Sequence, residues 1–192
     1  MPSPLDRFIP QFDVRERFER ELHAPADVVM RTAKEFDLQS IGLIRLIIKV
    51  RKFILRGSPD PPRRPVGLFE ESLEMGWGLL DEVPDREIVC GAHCQPWTGD
   101  VVFTPIPPEG FFSFDRPDQV KIAWTLEAEP LSSDRTLFIH EVRAVATDES
   151  ARQKFRKYWR WARFGITAIR LLLLPAIKKK AEKEWRVEQK KA

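Results

Sequence analysis

The residues DESARQKFRKYWRWARFGITAIRLLLLP, from Asp148 to Pro175, carry the strongest structural pattern in the chain. Its apolar side chains recur at steps of four, three, four, three and four residues, at Phe155, Trp159, Ala162, Ile166, Ile169 and Leu173. This spacing is typical of one face of an α-helix, and Asp148 suits the position that caps its first turn. Further apolar residues between Tyr158 and Leu174 widen the face. We therefore expect most of this helix to be buried.

The end of this helix contains the most membrane-like run of the chain, Phe164 to Ile177. It is 14 residues long, includes Arg170 and is interrupted by Pro175. A helix that crosses a bilayer needs about 20 residues, so we do not expect a transmembrane segment here. Because proline lacks a backbone donor and crowds the preceding turn, we predict a kink or a break at Pro175, followed by a basic helical tail over 176–192.

Short apolar runs upstream of the long helix predict a sheet of about six strands. They are Val14 to His23, Trp77 to Val83, Glu87 to Cys94, Asp100 to Pro105, Gln119 to Ala128 and Arg135 to Thr147. No helical pattern separates the last five runs, which favours antiparallel pairing. Two to three shorter helices are predicted near the N-terminus, over 25–36, 37–56 and 66–75. The proline-rich segment Ser58 to Pro65 predicts a loop.

Charge is segregated along the chain. Residues 151 to 192 hold 14 Lys or Arg and three Glu, a net charge of +11, whereas the whole chain carries +3. Such a basic helix could meet nucleic acid, an anionic membrane or the acidic part of its own domain. We expect the last of these and no nucleic acid. The tail Lys178 to Lys191 is either a solvated helix end or a weak membrane-surface contact.

The first residues and the two cysteines bear on compartment and cofactors. Met1 to Gln11 contains no apolar run of seven residues, which a secretory signal would need, so we expect a cytoplasmic protein. Cys90 and Cys94 would project from one strand roughly 13 Å apart, too far for a disulfide. With His93 they lack a fourth zinc ligand nearby. We therefore expect buried thiols, no metal and no cofactor.

Two segments carry a family resemblance. They are the strand from Phe18 into Ala24-Pro25-Ala26-Asp27-Val28, and His140-Glu141-Val142-Arg143 with Thr147-Asp148, Phe155, Tyr158-Trp159 and Ile169-Arg170. In this order of elements the chain, over roughly residues 12–185, resembles the START-related helix-grip superfamily (SRPBCC), which includes birch-pollen-allergen-like proteins and polyketide cyclases. The resemblance implies an α+β helix-grip fold, in which a curved antiparallel sheet wraps around the C-terminal helix and leaves an apolar cavity between them.

We accordingly predict a single domain over 1–192, with its core at about 12–175, as a monomer or homodimer. The ligand-binding site is predicted between sheet and helix, lined by Phe18, Trp97, Trp124, His140, Phe155 and Trp159. His140 shares a strand face with Phe138, Val142 and Ala144, which predicts that it points into the site. The opposite parity would place Glu141 and Arg143 there, and a purely structural His140 is a further alternative.

Two functions follow from these expectations. The first is binding of a small hydrophobic or amphipathic ligand between sheet and helix. The second is a cyclase, dehydratase or hydrolase acting on a bound ketide-like substrate, with His140 and Glu16 as the candidate catalytic pair. The alternative position for Glu16, at the rim of the site, is the one that its strand pattern favours. The sequence contains no nucleophile elbow, phosphate loop or metal-ligand triplet that would indicate another class of enzyme.

Overall fold

The computed structural model describes residues 3–58 and 64–191, and it confirms the α+β class. The strands are β1 (Val14–Leu22), β2 (Gly78–Val83), β3 (Glu87–Cys94), β4 (Val120–Ser132) and β5 (Arg135–Ala146). The helices are α1 (Ala26–Lys34), α2 (Gly42–Ile54), α3 (Leu68–Glu74), α4 (Pro108–Phe111) and α5 (Glu149–Gln189). Short 3₁₀ helices occupy Pro4–Arg7 and Leu38–Ser40. Positions 59–63 of the predicted proline-rich loop lie outside the described residues.

The described strands form one antiparallel sheet in the order β1-β5-β4-β3-β2. The prediction of about six strands is wrong, because Asp100 to Pro105 does not form one. That segment touches β3 only through the single bridge between Thr104 and His93. Pro105 follows Thr104 directly and has no amide hydrogen with which to continue a ladder.

The helix α5 is continuous over 41 residues and begins where Asp148 accepts a hydrogen bond from the Ala151 amide at 2.7 Å. The break predicted as one outcome at Pro175 does not occur. Proline removes one hydrogen bond from the helix, but the residues on both sides of it are buried, which stabilises the helical backbone there. These buried residues are Leu173, Leu174, Ile177 and Ala181. Within residues 3–58 and 64–191, no helix has the apolar length that a membrane span requires.

The first half of α5 packs on the end of the sheet where β4 begins and β5 ends. Phe155, Tyr158 and Ala162 form one buried cluster with Val120 and Ala144. The second half of α5 packs with α1 over the rest of the same sheet face, which we call the inner face. Residues from three elements meet there in a second cluster: Val28, Val29 and Ala33 of α1, Trp124, Leu126 and Phe138 of the sheet, and Leu173, Leu174 and Ile177 of α5.

The outer face of the sheet is covered by a segment for which the sequence patterns predicted no element. Leu5, Phe8 and Ile9 are buried there against β3 and β4. Phe111 of α4 joins them, with its ring centroid 5.8 Å from that of Phe8. Buried packing thus extends beyond the predicted core range of 12–175 at both ends, through Leu5 at one end and Ala181 at the other.

Candidate functional site

A chain of polar side chains joins α5 to the inner face of the sheet. Arg170 of α5 donates to the Glu16 carboxylate of β1 through Nη1, and to His140 of β5 through Nε, with 3.3 Å between Nε and His140 Nε2. Thr167 donates to the other Glu16 oxygen at 2.6 Å. The side chains of Arg170 and Glu16 are only 12% and 15% exposed. This ion pair therefore lies mostly within the interface between helix and sheet.

The two partners of His140 determine its protonation. Its Nδ1 lies 2.7 Å from the carbonyl oxygen of Thr125, which can only accept, so Nδ1 carries the hydrogen. Its Nε2 faces the Arg170 guanidinium, which can only donate, so Nε2 is unprotonated. Burial, followed by the positive charge of Arg170, lowers the pKa of His140 to about 3. The ring is neutral at physiological pH, and both nitrogens have a protein partner.

These contacts bear on the predicted catalytic pair. His140 does point toward α5, and it is also bonded to the backbone. A general base needs a free nitrogen or oxygen within reach of the substrate. His140 has neither nitrogen free, and Glu16 is bonded to both Arg170 and Thr167. The arrangement favours positioning of α5 over proton transfer, and a catalytic role for this pair stays a prediction.

The alternative polar pair, Glu141 and Arg143, lies on the outer face. The Glu141 side chain is fully buried and accepts from Arg15 at 2.9 Å, Arg17 at 2.9 Å and Arg143 at 2.7 Å. Burial raises the pKa of this carboxyl, but the hydrogen bonds from Arg17, Arg15 and Arg143 outweigh burial and lower the pKa to about 2. Glu141 is therefore charged at neutral pH, and its oxygens are occupied by three arginines of the domain.

An open groove of about 640 Å³ lies between the start of β1 and the first half of α5. Its apolar floor comes from Val14, Phe155 and Trp159. Four exposed cations of α5 form its rim: Arg156, Lys157, Arg160 and Arg163. Among the lining residues Asp13 alone is acidic, and it already pairs with Arg152 at 2.9 Å. The groove combines an apolar surface with an excess of positive charge.

The six predicted lining residues separate into two groups. Phe155 and Trp159 line the groove, and Trp97 packs into the same cluster. The other three lie further along the sheet in the cluster with α1: Phe18, Trp124 and His140. The Trp124 and His140 ring centroids are 6.4 Å apart. All six were predicted to surround one site, whereas in the structure two of them, Phe155 and Trp159, line the groove.

The four cations of the rim were not among the residues predicted to form the site. The available signal was the spacing of Arg156, Arg160 and Arg163, since residues at i, i+4 and i+7 share one face of a helix. That face lies beside the apolar seam and not opposite it. No such spacing could have predicted that Val14 lines the groove, because its position depends on how the edge strand β1 packs against α5.

The strand β3 separates the two cysteines from His93. Cys90 belongs to the inner cluster, whereas His93 stacks on Phe114 with ring centroids 4.5 Å apart and bonds to Gln119. Burial raises the pKa of both thiols to about 12, so neither is a thiolate at neutral pH. Within the described ranges no group of three or more His, Cys, Asp or Glu is arranged to hold a metal ion.

No family model and no curated protein matches the chain. Among solved structures, the Mll3558 protein from Rhizobium loti is 16% identical, with 81% of this chain and 96% of that chain covered and a TM-score of 0.32. CalU16 from Micromonospora echinospora is 14% identical, with 90% and 86% covered and a TM-score of 0.29. The Zhui aromatase/cyclase from Streptomyces sp. R1128 is 13% identical, with 88% and 94% covered and a TM-score of 0.30. Likenesses at this level assign no function.

Proposed function

We propose that this protein binds a small amphipathic molecule with an acidic group, and that the molecule lies in the groove between β1 and α5. The proposal rests on one observation, an apolar floor of Val14, Phe155 and Trp159 beneath a rim of four cations. An apolar body gains free energy by leaving water for such a floor. An anionic head group gains charge-assisted hydrogen bonds from the arginines.

The state of the rim supports an acidic ligand. Across residues 3–58 and 64–191, Arg156, Lys157 and Arg160 form no ion pair with a carboxylate. An incoming acid therefore has no salt bridge to displace at these three positions, where Arg156 acts on Glu149 only through its charge. The ligand class predicted from the sequence was hydrophobic or amphipathic, and the charge of the rim favours the amphipathic and anionic part of that class.

The enzyme alternative has less support. A cyclase, dehydratase or hydrolase would need an acid or base beside its substrate. His140 and Glu16 are engaged with Arg170, Thr125 and Thr167, away from the groove lining.

Membership of the START-related helix-grip superfamily is proposed together with binding. It is supported by the antiparallel sheet whose inner face packs on a long C-terminal helix.

Three ligands with the same tail test the proposal: decanoate, decanol and decyltrimethylammonium, each titrated below its micelle concentration. Affinity is measured by calorimetry and by the shift of the Trp159 indole N–H resonance. Decanoate should bind about tenfold or more tightly than the cation, because rim charge is worth about 1 kcal/mol or more at close range. Failure of all three ligands to perturb Trp159, or equal affinity for the cation, contradicts the proposal.

A further inference from the structure

The helix α2 presents an apolar stripe to solvent. Phe53 is 85% exposed, and four more large side chains of the helix are between 47% and 55% exposed: Leu43, Leu46, Val50 and Ile54. At about 100° per residue these five side chains fall within about 100° of the helix circumference. A contiguous apolar group of this kind marks a surface that a membrane or another molecule covers.

The opposite part of α2 is firmly packed, so the stripe is not the result of a loosely attached helix. Ile44 is fully buried. Ile47 lies so close to Gly165 of α5 that a Cβ added there would be 3.0 Å from its Cγ2. Arg51 donates to the Tyr158 hydroxyl at 3.1 Å. These contacts hold α2 on α5 with the stripe turned outward.

The remaining sector of α2 is basic. From Ile41 to Ser58 the sequence contains five Lys or Arg and no Asp or Glu. Lys49 of α2 and Arg56, two residues after its end, are both exposed. On α5, Phe164 beside Gly165 is 66% exposed and Leu171 is 56% exposed, so this helix also presents apolar side chains to solvent.

We propose that α2 is an interfacial helix that docks the protein on an anionic lipid bilayer. The stripe inserts among the acyl chains, and the basic sector contacts the head groups. We choose the bilayer over a second copy of the chain because of charge: a second copy would bring the exposed cations of this region, such as Lys49 and Arg56, against their own counterparts. The proposal is independent of the groove, and it differs from the predicted contact through the tail. One face of that tail packs against the rest of the domain, where Ile177 and Ala181 are buried.

Vesicle co-sedimentation of the full chain tests this assignment. Vesicles of phosphatidylcholine alone are compared with vesicles containing about 30% phosphatidylserine. The wild type should bind the anionic vesicles about tenfold or more tightly, and the difference should shrink at about 0.5 M salt. Phe53→Glu should weaken that binding about tenfold or more. Because Phe53 is exposed, this variant should keep the wild-type melting temperature.

The matched control is Phe112→Glu, which makes the same change at a 63% exposed phenylalanine at the end of α4. It should bind as the wild type does. The proposal is overturned if neither vesicle binds, if both bind equally, or if Phe53→Glu binds like the wild type. It is also overturned if Lys183→Glu with Lys190→Glu abolishes binding while Phe53→Glu does not. The wild type could instead form a dimer and bind no vesicles. If Phe53→Glu then converted the dimer to a monomer, the stripe would be an interface with a second copy of the chain.

Discussion

The Nε atom of Arg170 lies 3.3 Å from Nε2 of His140, and this contact ties the middle of α5 to β5. The same guanidinium bonds Glu16, so one side chain of the helix spans two neighbouring strands. Buried side-chain nitrogen and oxygen atoms all have partners in the described part of the chain. A satisfied polar group at this position fixes how α5 is rotated against the sheet, because any other rotation would leave a buried charge unpaired.

The pKa of His140 predicts a pH dependence of stability. Burial and Arg170 lower this pKa from 6.5 to about 3, so between these values the unfolded chain binds a proton that the folded chain does not. The stability that comes from keeping His140 neutral is fully present above pH 6.5 and is lost as the pH falls from 6.5 toward 3. Urea unfolding across this range should therefore show a falling free energy of unfolding, and His140→Gln should flatten the slope. A His140 ring resonance that titrates near pH 6.5 would contradict this account.

Glu141→Gln should destabilise the fold by about 3 kcal/mol or more, because it leaves three arginines around a neutral amide. The matched control is Glu19→Gln, which removes another partner of Arg17 at a site 47% exposed and should cost less than about 1 kcal/mol. The folded pKa of Glu141 is about 2 against an ordinary 4.5, so its stabilisation is present above pH 4.5 and lost as pH falls toward 2. Equal effects of the two variants in urea unfolding at pH 7 would count against the arginine cluster.

Pro175→Ala should stabilise the protein. Pro175 is exposed within the continuous helix α5, and alanine would restore the amide donor to the Leu171 carbonyl. The expected gain in the free energy of unfolding is about 1 to 3 kcal/mol. Thermal and urea unfolding measure it, and Pro65→Ala, outside any helix, serves as the control. A loss of stability in Pro175→Ala would mean that proline shapes this part of the helix.

The affinity of the groove for decanoate should depend on the charge of the rim residues and not only on their size. Arg160→Glu should weaken decanoate binding about tenfold or more, since it replaces an attractive charge by a repulsive one close to the ligand carboxylate. Lys190→Glu makes a similar change of charge near the far end of the chain and should leave the affinity within about twofold at moderate salt. Calorimetric titration of both variants compares them directly. If both variants lost a similar amount of affinity for decanoate, the net charge of the protein would explain the effect, and the rim would not.

Much of the fold could be predicted from periodicity. The seam from Phe155 to Leu173 identified the face of α5 that packs on the domain, although Phe164 and Leu171 are exposed and less of the helix is buried than expected. Alternation located β1, and short apolar runs between turn residues located β2 to β5. Failures arose where tertiary context outweighs local preference. Pro175 favours a break locally, but burial of the residues on either side keeps α5 helical. The apolar run after Asp100 has strand-like composition, yet only Thr104 finds a partner in β3.

The site could be predicted only in part. The environment of His140 depends on Thr125 and Arg170, which lie 15 and 30 residues away, so neither its tautomer nor its low pKa follows from its own strand. The aromatic residues Phe155 and Trp159 were identified because they belong to the helical seam. The groove also requires Val14 and the placement of an edge strand beside α5, a long-range relationship that no local pattern contains.

An acidic amphiphile is proposed to lie in the groove between β1 and α5. Its position can be measured through intermolecular nuclear Overhauser contacts between decanoate and the protein. We expect contacts from the decanoate methylenes to Val14, Phe155 and Trp159. Contacts to Phe18, Trp124 or His140 instead would place the ligand deeper between sheet and helix, and would contradict the claim.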